Sequence, residues 1–172
     1  RWQIQDVAEV VEHDEDAVPR LGHDVVGAGE HQTPLEGLDV RVIRITDDAI
    51  SHWSEDLVCP VGEIGEIVVH GDIVTRAYFE KPRGDLFAKI MQDGRIWHRM
   101  GDLGWRDRKG RIWFCGRKSH RVVTAKTTLY TIPCESIFNQ HSAVSRSALV
   151  GVGPRNARTP VMVIERAETE KK

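Results

Sequence analysis

Cysteine is scarce in this chain: Cys59, Cys115 and Cys134 are the only three in 172 residues. They are too few and too widely spaced for a disulfide framework or a CxxC metal site, so each reads as a buried or half-buried free thiol. No stretch approaches the roughly 20 apolar residues needed to span a bilayer. The N-terminus lacks the basic-then-apolar pattern of a secretion signal. Eight histidines are present, but none shows HxxxH or Cys/His ligand spacing. Missing too are a GxxxxGK(S/T) phosphate loop, a GxGxxG turn and a GxSxG nucleophile elbow. The net charge is −2 and no basic stripe interleaves with aromatics, which excludes general nucleic-acid binding. These absences leave an expected cytoplasmic protein with no metal of its own and no nucleic-acid or membrane-spanning role.

What is present is ordinary in bulk and uneven in detail. Hydrophobic residues make up 40% and charged residues 29% of the chain, the balance of a globular protein able to bury a core. Residues 1–37 carry nine acidic and two basic side chains, against 17 and 22 in the remainder. The run Glu12–Asp16 and the glycines at 22, 27 and 29 mark this stretch as an atypical acidic leader, expected to be poorly ordered.

From Leu38 the pattern tightens. Val40–Ile45 is β-branched and partly alternating, hence a strand. Thr46–Pro60 is a polar excursion holding one tryptophan, and Gly62–Gly71 brackets a second strand with glycines. Asp72–Phe79 follows and Pro82 stops it; Leu86–Met91 suggests a helical turn. Asp93-Gly94 is a tight-turn dipeptide. Residues 97–104 and 112–119 then form two strands joined by the turn Asp107-Arg108-Lys109-Gly110. The expected fold class is α+β: residues 38–117 a mostly antiparallel small β-barrel subdomain, and 118–172 a hinge and a truncated small C-terminal domain. The latter reads β–β–α–β–β, with a helix Cys134–His141 burying Ile137, Phe138, His141 and Val144.

Asp102 stands at a strand end between Gly101 and Gly104, where a carboxylate can accept two hydrogen bonds from a vicinal diol such as a ribose. Arg117 follows Gly116 at the end of the next strand, within reach of the same ligand, and suits an anion or a ribose oxygen. The same spacing also fits an Asp–Arg ion pair that closes a hairpin. His98 and His120 are the available acid–base groups, though a histidine among apolar neighbours is more often packed than catalytic. Arg83-Gly84-Asp85 reads as a turn. On these residues alone the chain offers half a binding site and no catalytic set.

The order of motifs resembles the adenylate-forming superfamily of acyl-CoA synthetases, peptide-synthetase adenylation domains and luciferases. Gly62–Gly71 with Tyr78–Pro82 is similar to its GExGEIxxxG…GYxxxP segment, His98–Leu103 to YRTGDL, Gly116–Ser119 to GRxD, and Pro133–Glu135 to PxE. The resemblance covers about Leu38 to Glu165. It implies that Asp102 binds the ribose hydroxyls of ATP or an acyl-adenylate, that Arg117 lies beside the nucleotide, and that Ser119 is the hinge between two half-reactions. Ala77, Met100 and Ser119 stand where Gly, Thr and Asp or Lys are usual. Those departures, with the runs 97–104, 113–122 and 129–135, resemble the branch of bacterial olefin β-lactone synthetases.

That branch implies ATP and Mg2+, AMP as a product, and a 2-alkyl-3-hydroxy fatty acid that is adenylated and closed to a β-lactone. An acyl-CoA synthetase is the alternative within the superfamily, and a non-catalytic binding module the alternative outside it. The phosphate loop and the C-terminal catalytic lysine have no counterpart in this chain, so the expectation is a fragment, inactive by itself.

Overall fold

The computed structural model describes residues 31, 32, 34 and 36–167. The sheet begins within the stretch expected as a leader: β1 (His31–Gln32) pairs antiparallel with β6 (Ile112–Arg117). Residues 1–30, 33 and 35 of that leader lie outside the described residues, as do residues 168–172 at the other end.

The main body is one six-stranded antiparallel sheet. β2 (Asp39–Ile43) pairs with β3 (Gly65–His70), and β3 with the twelve-residue β5 (Arg95–Arg106). On its other edge β5 is shared: β4 (Lys89–Gln92) takes residues 95–98, and β6 takes 102–106. Two tight turns fix this register. Asp93-Gly94 joins β4 to β5, with Gln92 opposite Arg95, a two-residue hairpin loop. Asp107–Gly110 joins β5 to β6, and there the Asp107 carboxylate accepts from the Lys109 and Arg111 amides, each at 2.9 Å. Gly110 holds φ +80° in that turn, a conformation that costs a glycine nothing.

β5 alternates with period two. Trp97, Arg99, Leu103 and Trp105 are buried on one face, as the pleat requires. Ile43, Val68, Ile90 and Trp97 form one cluster there; Leu103, Trp105 and Cys115 form a second. The polar excursion covers this face. Its Ile50, Trp53 and Leu57 pack on the first cluster, and the Trp53 ring stacks on Trp97 with centroids 4.2 Å apart.

The same excursion corrects the expected barrel: the sheet stays open. Its returning end runs along the outer edge of β2, where the Arg44 amide donates to the Leu57 carbonyl and the Cys59 amide to Val42, each at 2.8 Å. With the excursion bonded to that end of β2, β2 and β1 stay unpaired as the two ends of an open sheet. A second correction concerns Leu86–Met91. Helix α1 spans Pro82–Ala88, with Pro82 opening it rather than stopping a strand, and the chain is already extended at Lys89. Ile90 is fully buried in the first cluster, and that burial outweighs the weak helical preference of the run.

Beyond Arg117 a 3₁₀ turn (Lys118–His120) leads to the hairpin β7 (Val122–Val123) and β8 (Thr128–Leu129), helix α2 (Thr131–Asn139), and the hairpin β9 (Val144–Val152) and β10 (Thr159–Arg166). This is the expected β–β–α–β–β order. The helix starts earlier than expected and takes Pro133 into its first turn, where the missing N–H has no partner to lose. Its packing face also differs from expectation: Thr131 and Pro133 are buried, whereas Ile137 and Phe138 are exposed. Glu135 ties α2 to β9 by accepting from the Leu149 amide at 2.9 Å.

Candidate nucleotide site

The register of the central hairpin puts Asp102 directly opposite Arg117. A bulge makes this possible. Leu103 pairs with Gly116 and Gly104 with Phe114, so Cys115 is the extra residue of β6; an inserted residue of this kind re-aims the side chains next to it. Gly116 has φ +109°, and a Cβ there would collide with Thr131 Oγ1. The position therefore admits only glycine, and the chain leaves it with Arg117 facing Asp102. Arg117 Nη1 donates to Asp102 Oδ1 at 2.7 Å and to the Met100 carbonyl at 3.2 Å.

The ion pair and an open acceptor coexist in this arrangement. The Asp102 side chain is 22% exposed and that of Arg117 55%. Asp102 Oδ2 has no hydrogen-bond donor among the described residues. One carboxylate oxygen is thus held by the guanidinium, while the other stays available to a hydroxyl donor. Arg117 keeps most of its donors for an incoming anion or ribose oxygen. The two readings that spacing alone left open are compatible in the structure.

Three residues back along β5 lies a second charged cluster, which sequence reasoning missed. Glu66 Oε2 accepts from Arg99 Nε (3.1 Å), Arg99 Nη2 (2.7 Å) and Lys118 Nζ (3.0 Å). Arg99 also reaches the Asp48 carbonyl at 2.8 Å and the Thr46 carbonyl at 2.7 Å, and Lys118 reaches the same Thr46 oxygen at 3.1 Å. Glu66 and Arg99 are buried. The signal was in the alternation: Glu66 shares its strand face with Val68, and Arg99 lies between Trp97 and Leu103. A charge at an apolar-phase position on each of two adjacent strands predicts a buried pair.

Ser119 is exposed within the 3₁₀ turn. Arg121 closes that turn by donating to the Lys118 carbonyl at 2.7 Å and to Asp47 Oδ2 at 2.8 Å. The Arg121 hydrogen bond, opposed by partial burial, holds the Asp47 carboxyl below its usual range.

The remaining candidates lie apart from this pair. His98 Nδ1 lies 3.1 Å from the Ala88 carbonyl, and burial together with the Lys89 charge lowers its pKa, which keeps the ring neutral. His120 is exposed and ends the 3₁₀ turn. Burial raises the Cys59 thiol to about 11 and Cys115 to about 12, and Cys134 is raised for the same reason. None of the three is a thiolate at neutral pH. Arg83-Gly84-Asp85 lies in α1 rather than in a free turn, and Asp85 Oδ1 accepts from the Tyr78 amide at 2.9 Å. Among the described residues no group of three or more His, Cys, Asp or Glu side chains is placed to hold a metal. No helix among them is long and apolar enough to cross a membrane.

No family model matches the sequence. Over 132 residues the chain is 48% identical to an olefin beta-lactone synthetase of Stenotrophomonas maltophilia, a match covering 74% of this chain and 24% of that protein. It is 49% identical over 132 residues to the olefin beta-lactone synthetase of Xanthomonas campestris pv. campestris, with the same coverage. The chain belongs to the adenylate-forming ligase superfamily. A more distant member, the putative acyl–CoA ligase YdaB of Bacillus subtilis, is 33% identical over 135 residues, 78% of this chain and 24% of that one.

Solved adenylate-forming ligases share the fold. The O-succinylbenzoate coenzyme A synthetase MenE of Bacillus subtilis, in complex with AMP, aligns with a TM-score of 0.62 at 23% identity, over 81% of this chain and 26% of that one. The amide bond synthetase McbA from Marinactinospora thermotolerans aligns with a TM-score of 0.64 at 20% identity, with the same coverage. The chain spans about a quarter of the length of the curated relatives it matches.

Proposed function

We propose that this chain supplies the nucleotide edge and the hinge of a longer AMP-forming ligase that activates a 2-alkyl-3-hydroxy fatty acid. In the first half-reaction the carboxylate attacks the α-phosphorus of ATP and pyrophosphate leaves. In the second the 3-hydroxyl attacks the acyl carbon, AMP leaves, the hydroxyl proton is lost, and a four-membered lactone closes. Asp102 accepts the two ribose hydroxyls, Arg117 stands beside the nucleotide, and Ser119 is the pivot between the half-reactions. The observation that carries this reading is the pairing of a half-open Asp102 carboxylate with an exposed Arg117, in a chain 48% identical to an olefin beta-lactone synthetase.

The residues fit a ribose edge and nothing further along the nucleotide. The described residues include no phosphate-cradling glycine-rich loop and no cluster of three or more His, Cys, Asp or Glu side chains placed to hold a metal, and this reading assigns the ATP phosphates and magnesium to other parts of the longer enzyme. The purified chain alone is therefore expected to catalyse no ATP–pyrophosphate exchange with a 3-hydroxy fatty acid; measurable exchange would refute that division of labour. A second reading, an acyl-CoA ligase, is favoured by the 33% identity to YdaB. Incubating the longer enzyme with ATP, acid and coenzyme A, and resolving β-lactone from acyl-CoA by mass spectrometry, separates the two.

A further inference from the structure

We infer that Asp47 and Arg121 form a releasable latch that holds the segment beyond Ser119 in one orientation against the sheet. The inference rests on the reading of Ser119 as the pivot. Anchors lie on both sides of that residue and differ in kind. Before it, Lys118 is fixed to Glu66 at 3.0 Å and to the Thr46 carbonyl at 3.1 Å. Its acceptor Glu66 is 1% exposed and is shared with Arg99, so a withdrawing Lys118 would leave charge stranded in the core.

After Ser119, Arg121 reaches back to Asp47 at 2.8 Å, and Arg155 on the β9–β10 turn approaches the same carboxylate at 3.8 Å. Asp47 is 51% exposed and Arg155 81%, while Arg121 is 15% exposed, so the shared carboxylate, unlike Glu66, is open to water and to salt. Thr46–Asp48 is one short segment. Its Thr46 and Asp48 carbonyls are gripped from the sheet by Arg99 and from the turn by Lys118, while its Asp47 side chain holds Arg121. Turning the backbone at Ser119 carries Arg121 and Arg155 away from Asp47 and leaves Lys118 in place. The apolar contact of Tyr130 with the Leu103 and Cys115 cluster resists the same movement, which sets a modest size for the latch's share.

The test uses trypsin, whose site at Arg121 survives substitution of Asp47, while its site at Lys118 stays anchored to Glu66 and serves as an internal control. In the full chain, Asp47→Asn is expected to speed cleavage after Arg121 about two- to fivefold, the population change for loss of a partly exposed ion pair. Cleavage after Lys118 should be unchanged and Tm should stay close to the parent's. Asp39→Asn, which breaks the surface pair with Arg41, should leave the rate after Arg121 as in the parent chain. In about 1 M salt, where the Debye length is about 3 Å, the unsubstituted chain should accelerate at this bond and Asp47→Asn should not. Equal cleavage of the two proteins, an equal response to salt, or a uniform rise at all sites with a fallen Tm would each overturn the latch. No nucleotide enters the assay, so the outcome is independent of whether Asp102 binds a ribose.

Discussion

Two ion-pair sites lie three residues apart on β5, and they behave as different kinds of object. Arg99–Glu66 is 2% and 1% exposed, whereas Arg117–Asp102 is 55% and 22% exposed. Glu66 serves two cations through Oε2, and the Thr46 and Asp48 carbonyls accept further hydrogen bonds from Arg99 and Lys118, so this site is enclosed by the protein's own groups. Asp102 serves one cation and keeps an oxygen open. The strand's alternation sends Arg99 into the core; Gly101 then intervenes before Asp102. A few residues of extended chain thus separate a group that builds the fold from a group positioned to meet a ligand.

The comparison is broken most forcefully at Glu66. Glu66→Gln leaves Arg99 and Lys118 facing a neutral amide in the core, and unfolding should become easier by about 3–5 kcal/mol, measured by denaturant titration. That is a large part of a typical domain's stability. A loss below about 1 kcal/mol would put Glu66 on a par with a surface charge and remove the distinction.

Gly116→Ala comes next. The backbone conformation alone costs about 1–3 kcal/mol for a residue with a side chain, and the new methyl collides with Thr131 as well. The substitution should lower Tm and disturb the pairing of Asp102 with Arg117. Unchanged stability would mean that the bulge does not need glycine. Asp102→Asn lies at the small end, below about 1 kcal/mol in stability; a loss comparable to that of Glu66→Gln would show the surface pair to be structural.

His98, adjacent to Arg99, gives a pH-dependent contrast. Burial and the Lys89 charge set its folded pKa below the ordinary 6.5. The unfolded chain then binds the proton first, so stability is full above about pH 6.5 and declines as pH falls toward the folded value. Replacing His98 with Gln should flatten that part of the stability–pH curve. A parental slope between about pH 6.5 and 5 in the variant would assign the titration to another group.

Much of the hairpin was legible in the sequence because local rules settle it. Asp93-Gly94 and Asp107–Gly110 are turns by chemistry, and β5 alternates visibly. The open sheet was not legible, because closure depends on what the excursion does to the edge of β2, and Thr46–Pro60 carries no periodic pattern. Leu86–Met91 misled for a related reason: a short apolar run fits helix or strand, and only the burial of Ile90 decides. In α2 the apolar spacing of Ile137 and Phe138 marked a helix correctly but pointed to the wrong face. Glu66 and Arg99 are charges within motif strings, and only their place in the alternation of two adjacent strands puts them inside. The spacing of Asp102 and Arg117 brought the pair together, while its ligand lies in no feature of the spacing.

The most direct test is to measure AMP affinity and Tm together for Asp102→Ala in the longer ligase. Loss of hydrogen bonds from a charged acceptor predicts binding weakened about tenfold or more, with Tm close to the parent's. Unchanged affinity, or affinity lost only in step with stability, would contradict the assignment of Asp102 to the nucleotide.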